Sequence, residues 1–195
     1  MPTDESELTR RAIRRDAEAF AQIYGHYAER VYTYVYFMLG RNGTDAEDMT
    51  ALTFLKAWEN IDQFQPRGRP FLAWLLRIAH NRAVNHLRRN QRDVGLEENA
   101  YKLAAPESPL ESVEDSSRHA QLREAVRQLC PEQRAVIVLR FFNGMSHAEV
   151  ARILGKNVEA TRAIQYRALA ALRKVIAKEE NSEPVHHREG SRRVL

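Results

Sequence analysis

The stretch SHAEVARILGKNVEATRAIQYRALAALRKV, residues 146–175, decides how the chain is read. It opens on Ser146-His147-Ala148-Glu149. A serine and a glutamate three residues later can satisfy each other's free backbone N–H groups, which is the capping box of a helix start. Val150, Ile153 and Leu154 share the inner side of the short helix that follows. Gly155 ends it, because glycine takes the left-handed conformation that closes a helix. Lys156-Asn157 turn the chain, and Asn157 suits the cap of a longer helix from Val158 to about Val175. Short helix, glycine-bearing turn and long helix make a helix-turn-helix pattern.

Projected at roughly 100° per residue, the second helix separates into two sides. Thr161, Ile164, Ala168, Leu172 and Val175 fall inward. Glu159, Arg162, Ala163, Tyr166, Arg167 and Ala170 fall outward. A helix that reads DNA needs such a face, with arginines that fork onto guanine edges or phosphates and small residues that permit close approach. A solvated surface helix would carry the same arginines, so the projection alone leaves both readings open. Upstream, Pro131-Glu132-Gln133-Arg134 starts a helix whose Val136, Ile137, Leu139 and Phe142 brace the motif.

Residues 8–89 carry helical periodicity almost throughout. Phe20, Ile23, Tyr24, Tyr27, Val31, Tyr34, Val35 and Met38 recur at spacings of three and four, the period of a buried helix face. Gly40 to Gly43 interrupt it, and Thr44-Asp45-Ala46-Glu47 matches a second capping box. The helix it opens is expected to reach about Asn60, with Met49, Leu52, Leu55 and Trp58 inside. After Gln65-Pro66-Arg67-Gly68-Arg69, Pro70 suits the first turn of another helix, which carries Phe71, Trp74, Leu75, Ile78 and Leu87. The helical spacing of Phe71 and Trp74 favours core packing over stacking on a ligand. The expected organisation is all-α: a helical domain over 8–90, an acidic flexible linker over 91–117, a second helical domain over 118–178 and a disordered tail over 179–195. Gly95, Pro106, Pro109, serines and acids without a sustained period mark the linker.

The net charge of +4 says little as a total, whereas its distribution says more. From Gln63 to Arg92 there is no acid, but Arg67, Arg69, Arg77, Arg82, Arg88, Arg89 and Arg92 all occur. From Asp93 to Asp115 the sign reverses, with Lys102 the one base. Segregation of this kind suggests different partners for different segments. Cys130 is the only cysteine, which excludes an internal disulfide and a multi-cysteine zinc site. The pair His186-His187 lacks further ligands for a metal. No apolar run approaches the roughly 20 residues of a membrane span, and the polar start Met1 to Glu7 has no signal-peptide core, so a cytoplasmic location is expected. No nucleophile–base constellation or glycine-rich phosphate loop stands out, so neither catalysis nor a cofactor is expected.

Three blocks carry a family resemblance. Asp45-Ala46-Glu47-Asp48-Met49, continuing to Thr53-Phe54-Leu55-Lys56-Ala57-Trp58, resembles the polymerase-binding helix of sigma-70-type factors. Phe71-Leu72-Ala73-Trp74-Leu75-Leu76-Arg77-Ile78-Ala79-His80-Asn81, ending in His86-Leu87-Arg88-Arg89, is similar to their promoter-melting, −10-reading helix. Leu129-Cys130-Pro131-Glu132-Gln133-Arg134, with Leu139-Arg140-Phe141-Phe142 and Gly144-Met145-Ser146, resembles the opening of their −35-binding domain. The blocks stand in the family's order across residues 17–175. Within the family the chain is similar to the extracytoplasmic-function group, which keeps only the second and fourth conserved regions.

The resemblance implies an initiation factor that binds core RNA polymerase, through its β′ and β subunits, and promoter DNA, with an anti-sigma factor as a further partner and no membrane insertion. Asp45, Glu47 and Asp48 would face the polymerase. Arg67, Gly68, Arg69, Arg77, Asn81, Arg88 and Arg89 would serve the −10 element, with the loop Gln65–Arg69 offering a pocket for an unstacked base. Arg162, Ala163, Tyr166 and Arg167 would read the −35 element. Ala51-Leu52 departs from the family's glutamine and acid, Asn85 from a common aspartate, and Arg69-Pro70 from a small residue before the aromatic. The rival reading is a dimeric helix-turn-helix regulator. It would need a partner domain of alternating strands and helices, and residues 1–89 carry no strand pattern.

Overall fold

The computed structural model describes residues 5–40, 42–66, 70–94 and 117–180. Of the expected linker over 91–117, residues 95–116 lie outside these, as do residues 181–195 of the expected tail over 179–195; residues 91–94, 117 and 179–180 are helical. Among the described residues there is no strand. The helices are α1 (Glu5–Ile13), α2 (Ala17–Met38), α3 (Gly43–Glu59), α4 (Phe71–Val94), α5 (Ser117–Arg127), α6 (Pro131–Ile137), α7 (His147–Leu154) and α8 (Val158–Glu180). A 3-10 turn over Ile61–Gln63 follows α3, and a π-type turn over Val138–Phe142 continues α6.

The first half packs α1–α4 around Val31, Tyr34, Val35, Phe54, Ala57, Ile61, Phe71, Leu75, Leu76, Ala79 and Ala83, all buried. Each large apolar side chain buried in this way contributes about 1.5–3 kcal/mol. Where α4 begins, Phe64, Phe71 and Trp74 form a ring cluster with centroids 5.0–5.3 Å apart, in the edge-on and tilted geometries aromatic pairs prefer. Phe71 therefore belongs to the core, as its spacing predicts. Tyr34 is fully buried, and its hydroxyl lies 2.7 Å from Nδ1 of His80 on α4.

Three local details differ from the sequence reading. The capping box expected at Thr44 and Glu47 does not form. Asn42 caps α3, accepting from the Asp45 N–H at 3.2 Å and donating to the Asp45 carboxylate at 2.8 Å. An asparagine two residues upstream competes well for an N-cap. Leu52 and Leu55, expected inside, are 43% and 53% exposed, because the buried side of α3 is Ala46, Met49, Thr50, Thr53, Phe54 and Ala57. Finally, α1 and α2 are separate helices. Arg15 takes a left-handed backbone (φ 66°) between them, and Asp16 then caps α2 by accepting from Glu18 and Ala19.

Arg15 is not glycine, so that conformation costs on the order of 1–2 kcal/mol. Its guanidinium offsets the cost at the end of α3, donating to Trp58 O at 2.6 Å and Glu59 O at 3.3 Å and pairing with Asp62 at 3.0 Å. The Asp16 carboxyl is held below the ordinary carboxylate range, first by the Ala19 N–H and then by Arg11.

In the second half the predicted motif is present in detail. Ser146 and Glu149 bond reciprocally at 3.2 and 2.7 Å. Gly155 closes α7 at φ 65°, and Asn157 Oδ1 accepts from Ala160 N at 2.7 Å to start α8. Val136, Ile137, Val138, Leu139, Val150, Ile153, Ile164, Ala168 and Leu172 are buried between these helices. Arg134 is drawn into this core and donates to the last carbonyl of α5, Arg127 O at 2.5 Å, and to Leu129 O in the turn after it at 2.9 Å.

The two halves touch. Arg134 also reaches the carbonyls ending α2, Phe37 O at 3.2 Å and Met38 O at 3.5 Å. Phe142 packs on Phe37 with ring centroids 4.8 Å apart, and Arg30 donates to Asn143 O. On the neighbouring face α7 packs against α4. Phe142, expected to brace the helix-turn-helix from within, thus spends its ring on the other half.

Candidate nucleic-acid interface

The outward face of α8 is as the projection predicts. Arg162, Ala163, Arg167 and Ala170 are exposed, and Tyr166 is 78% exposed. Thr161, buried, anchors the inner side by donating its hydroxyl to Asn157 O at 3.0 Å. The helix is oriented from below by Arg140, whose Nε donates to Gln165 Oε1 at 3.2 Å while its Nη1 donates to Met145 O. Beside it, burial and then the guanidiniums of Arg140 and Arg162 hold the His147 imidazole below its ordinary value. The result is a helix presenting two guanidiniums and a phenol to a groove, with alanines between them, the Arg167 Nε also donating to Ala163 O at 3.4 Å.

A second basic surface runs along α4. Arg77, Asn81 and Arg88 lie on one stripe by spacing, and all are exposed, as is the neighbouring Arg89. Trp74 belongs to the same stripe but is half-buried by its ring contacts. Arg77 Nη1 donates to Arg152 O on α7 at 3.2 Å, so the top of this stripe meets the other half of the molecule. Arg67, Gly68 and Arg69 lie outside the described residues. Close to where they join the fold, a cavity of about 350 Å³ is lined by Glu5, Ser6, Thr9, Phe64, Pro66, Pro70 and Phe71.

On α3, Glu47 and Asp48 are exposed, whereas Asp45 is half-buried and engaged with Asn42. The sequence reading missed what continues this face. Ala51, Leu52 and Leu55 follow Asp48 along the same exposed stripe, and Tyr24 of α2 lies next to it at 45% exposure, its ring 4.6 Å from that of Phe54. The signal was available: leucines at 52 and 55 lie opposite Phe54 and Ala57 on a helical projection. No group of three or more metal-ligating side chains occurs among the described residues, and none of their helices is long and apolar enough to cross a membrane.

Two family models match the chain: sigma-70 region 2 over residues 23–93 and sigma-70 region 4 over residues 125–174. Among curated proteins it is 32% identical to the ECF RNA polymerase sigma factor SigK of Mycobacterium tuberculosis, covering 89% of this chain and 94% of SigK. The chain belongs to the ECF RNA polymerase sigma factors. It is also 40% identical to the ECF sigma factor BldN of Streptomyces coelicolor over 87% of its own length, and spans 65% of that protein.

Solved structures agree on the fold. The sigma factor RpoE from Bartonella quintana, crystallised with the anti-sigma factor NepR, matches with a TM-score of 0.72 and 23% identity over 81% of this chain and 96% of that one. CnrH, in complex with the cytosolic domain of CnrY, matches with a TM-score of 0.65 and 28% identity over 88% of this chain and 96% of that one. In this sigma factor α2–α4 therefore form region 2 and α5–α8 form region 4, whose helix-turn-helix binds DNA. As a sigma factor the chain acts in transcription initiation, a non-enzymatic role.

Proposed function

We propose that the chain carries core polymerase to promoters through three surfaces. The α3 face of Glu47 and Asp48, with Asp45 at its start and Ala51, Leu52 and Leu55 behind, docks on the polymerase. Its acids attract a basic partner and its leucines bury apolar area, so the polar groups missing at 51 and 52 are replaced by an apolar contact. The α4 stripe of Arg77, Asn81, Arg88 and Arg89, with Arg67, Gly68 and Arg69 in the preceding loop, takes the opened −10 strand. Arginines neutralise its phosphates, and unstacked bases need a platform and a pocket. The α8 face of Arg162, Ala163, Tyr166 and Arg167 reads the −35 duplex in the major groove. The domain limits are 8–90 and 118–178, joined by the linker 91–117 and followed by the tail 179–195.

The observation that carries this reading is the α8 face, where every outward residue is exposed and the arginines are held by a fully formed helix-turn-helix. Anti-sigma factors accompany the related RpoE and, by its cytosolic domain, CnrY accompanies CnrH. By analogy an inhibitory protein partner is proposed here, with a cytoplasmic site of action and no catalytic activity of its own.

Run-off transcription with purified core polymerase, with and without the protein, tests the proposal. New promoter-specific transcripts are expected, and their absence at every salt concentration would refute it. Charge reversal at Glu47 and Asp48 should weaken polymerase binding, and unchanged affinity would remove those residues from the interface.

A further inference from the structure

We propose that His147 is a further contact to the −35 duplex. Beside Arg162 it grips one backbone phosphate at the edge of the α8 face, in its protonated form, so that duplex and proton bind together. This rests on the −35-reading role proposed above for α8.

His147 is the first residue of α7 and is partly buried. The cap of that helix leaves its side chain unused, since Ser146 and Glu149 bond each other. The imidazole instead crosses to α8 and shares a hydrogen bond with the Gln165 side chain. Gln165 is itself held, its Oε1 accepting from Arg140 Nε at 3.2 Å while Arg140 Nη1 donates to Met145 O. Arg162 and Gln165 stand three residues apart, about one turn of α8, and both bear on the imidazole. His147 is thus fixed at the rim of the exposed face that carries Arg162, Ala163, Tyr166 and Arg167. When a recognition helix lies in the major groove, the helix before it crosses the backbone that walls the groove. The start of α7, held against Gln165, is where that crossing falls.

The charges around the ring make the contact carry a proton. Arg140 faces it from the π-type turn and Arg162 from α8. Helix α4 meets α7 further on, through Arg77 and the Arg152 carbonyl. On α7 itself the Glu149 carboxylate is turned to the Ser146 N–H at 2.7 Å. In the free protein burial, and then the two guanidiniums, hold the imidazole below its ordinary value of 6.5, so it is mostly uncharged at neutral pH. A phosphate between His147 and Arg162 reverses the sign of the field at the ring, and a close negative charge favours the protonated form. Affinity therefore rises as the pH falls through the window between the bound and free values. Above that window the ring is neutral in both states and affinity is level.

The test uses the full chain and a double-stranded −35 oligonucleotide from a promoter found by run-off transcription. Affinity is measured from about pH 8 to about pH 6, over a range of salt concentrations. The wild type is expected to tighten by up to about tenfold per pH unit, the limit for one linked proton. Its plot of log affinity against log salt should steepen by about 0.9 at the lower pH, the signature of one more neutralised phosphate. His147→Gln should keep the affinity seen at the higher pH and lose the gain. His147→Lys, charged throughout, should keep the steeper salt slope at both ends. A phosphate contact carries no sequence information, so the gain should be equal on single-base −35 variants. Wild-type affinity or salt slope that ignores pH overturns the proposal, as does a gain that persists in His147→Gln or appears on one sequence only. The wild-type arms decide alone if a variant fails to fold. If the duplex is bound at no pH and no salt concentration, the α8 reading itself falls, and this inference with it.

Discussion

Helices α4 and α8 are both long, both basic and both arginine-bearing on one side, yet they meet the rest of the molecule differently. Helix α8 is packed from one side only, by its own small unit, and its outer face is free along its described length. Helix α4 is packed by α2 and α3 on one side and by α7, from the other half of the chain, on another. A free face and a shared face can thus share one composition. What separates them is whether a distant segment has somewhere to land, and on α4 that landing is Ala73 to Arg77.

The strongest way to break the comparison is through the core. Ile164→Ala, at a position 3% exposed on the inner side of α8, should cost about 2–5 kcal/mol. If the halves are energetically independent, thermal melting will separate into two transitions, with the α4 half unmoved. If the contact couples them, one shifted transition remains. Next in size, Arg167→Ala should cost about 1–3 kcal/mol of discrimination at one −35 base pair while leaving −10 strand binding unchanged. Competition binding with single-base −35 variants measures it, and equal loss on both elements would erase the distinction between the faces. Ser146→Ala removes half of the reciprocal cap of α7 and should cost on the order of 1 kcal/mol in denaturant melts.

The smallest effect concerns acidity. His80 sits on α4 with Tyr34 of α2 on one side, and the Lys156 ammonium, itself paired at 2.6 Å with Glu132 of α6, bears on it from the turn before α8. Burial, and then Lys156, hold its imidazole below its ordinary value of 6.5. The folded form therefore disfavours the imidazolium. Its stabilising contribution is complete above about pH 6.5 and is lost as the pH falls from there towards the lowered value. Both ring nitrogens of an imidazolium are donors, so the Tyr34 hydroxyl must then accept. Melting temperature should drop as the pH falls below about 6.5, and His80→Asn should flatten that dependence. An unchanged slope in the variant would exonerate His80.

Local signals were mostly legible, the cap of α3 at Asn42 rather than Thr44 apart, and distant ones were not. The Ser146–Glu149 box, the Gly155 stop and the Asn157 cap are decided within a few residues of each other, so the pattern alone located them. The α8 projection succeeded because α8 has one apolar side. On α3 it failed, because leucines at 52 and 55 add a second apolar stripe and the sequence does not say which one turns inward. The break at Arg14–Asp16 was hidden by an arginine holding a conformation usually left to glycine or asparagine, although Asp16 ahead of Ala17 and Glu18 was a readable cap. Nothing near Phe142 could have named Phe37 as its partner.

The bond from Arg134 to the end of α2 has a consequence for synthesis. The ribosome finishes the first half long before residue 134 emerges, and at about 5–20 residues per second the interval lasts several seconds. During it the carbonyls of Phe37 and Met38 lack the Arg134 guanidinium, and the Phe37 ring has no Phe142 to cover it. A nascent chain thus displays an apolar helix end that the completed protein covers once the last helices dock.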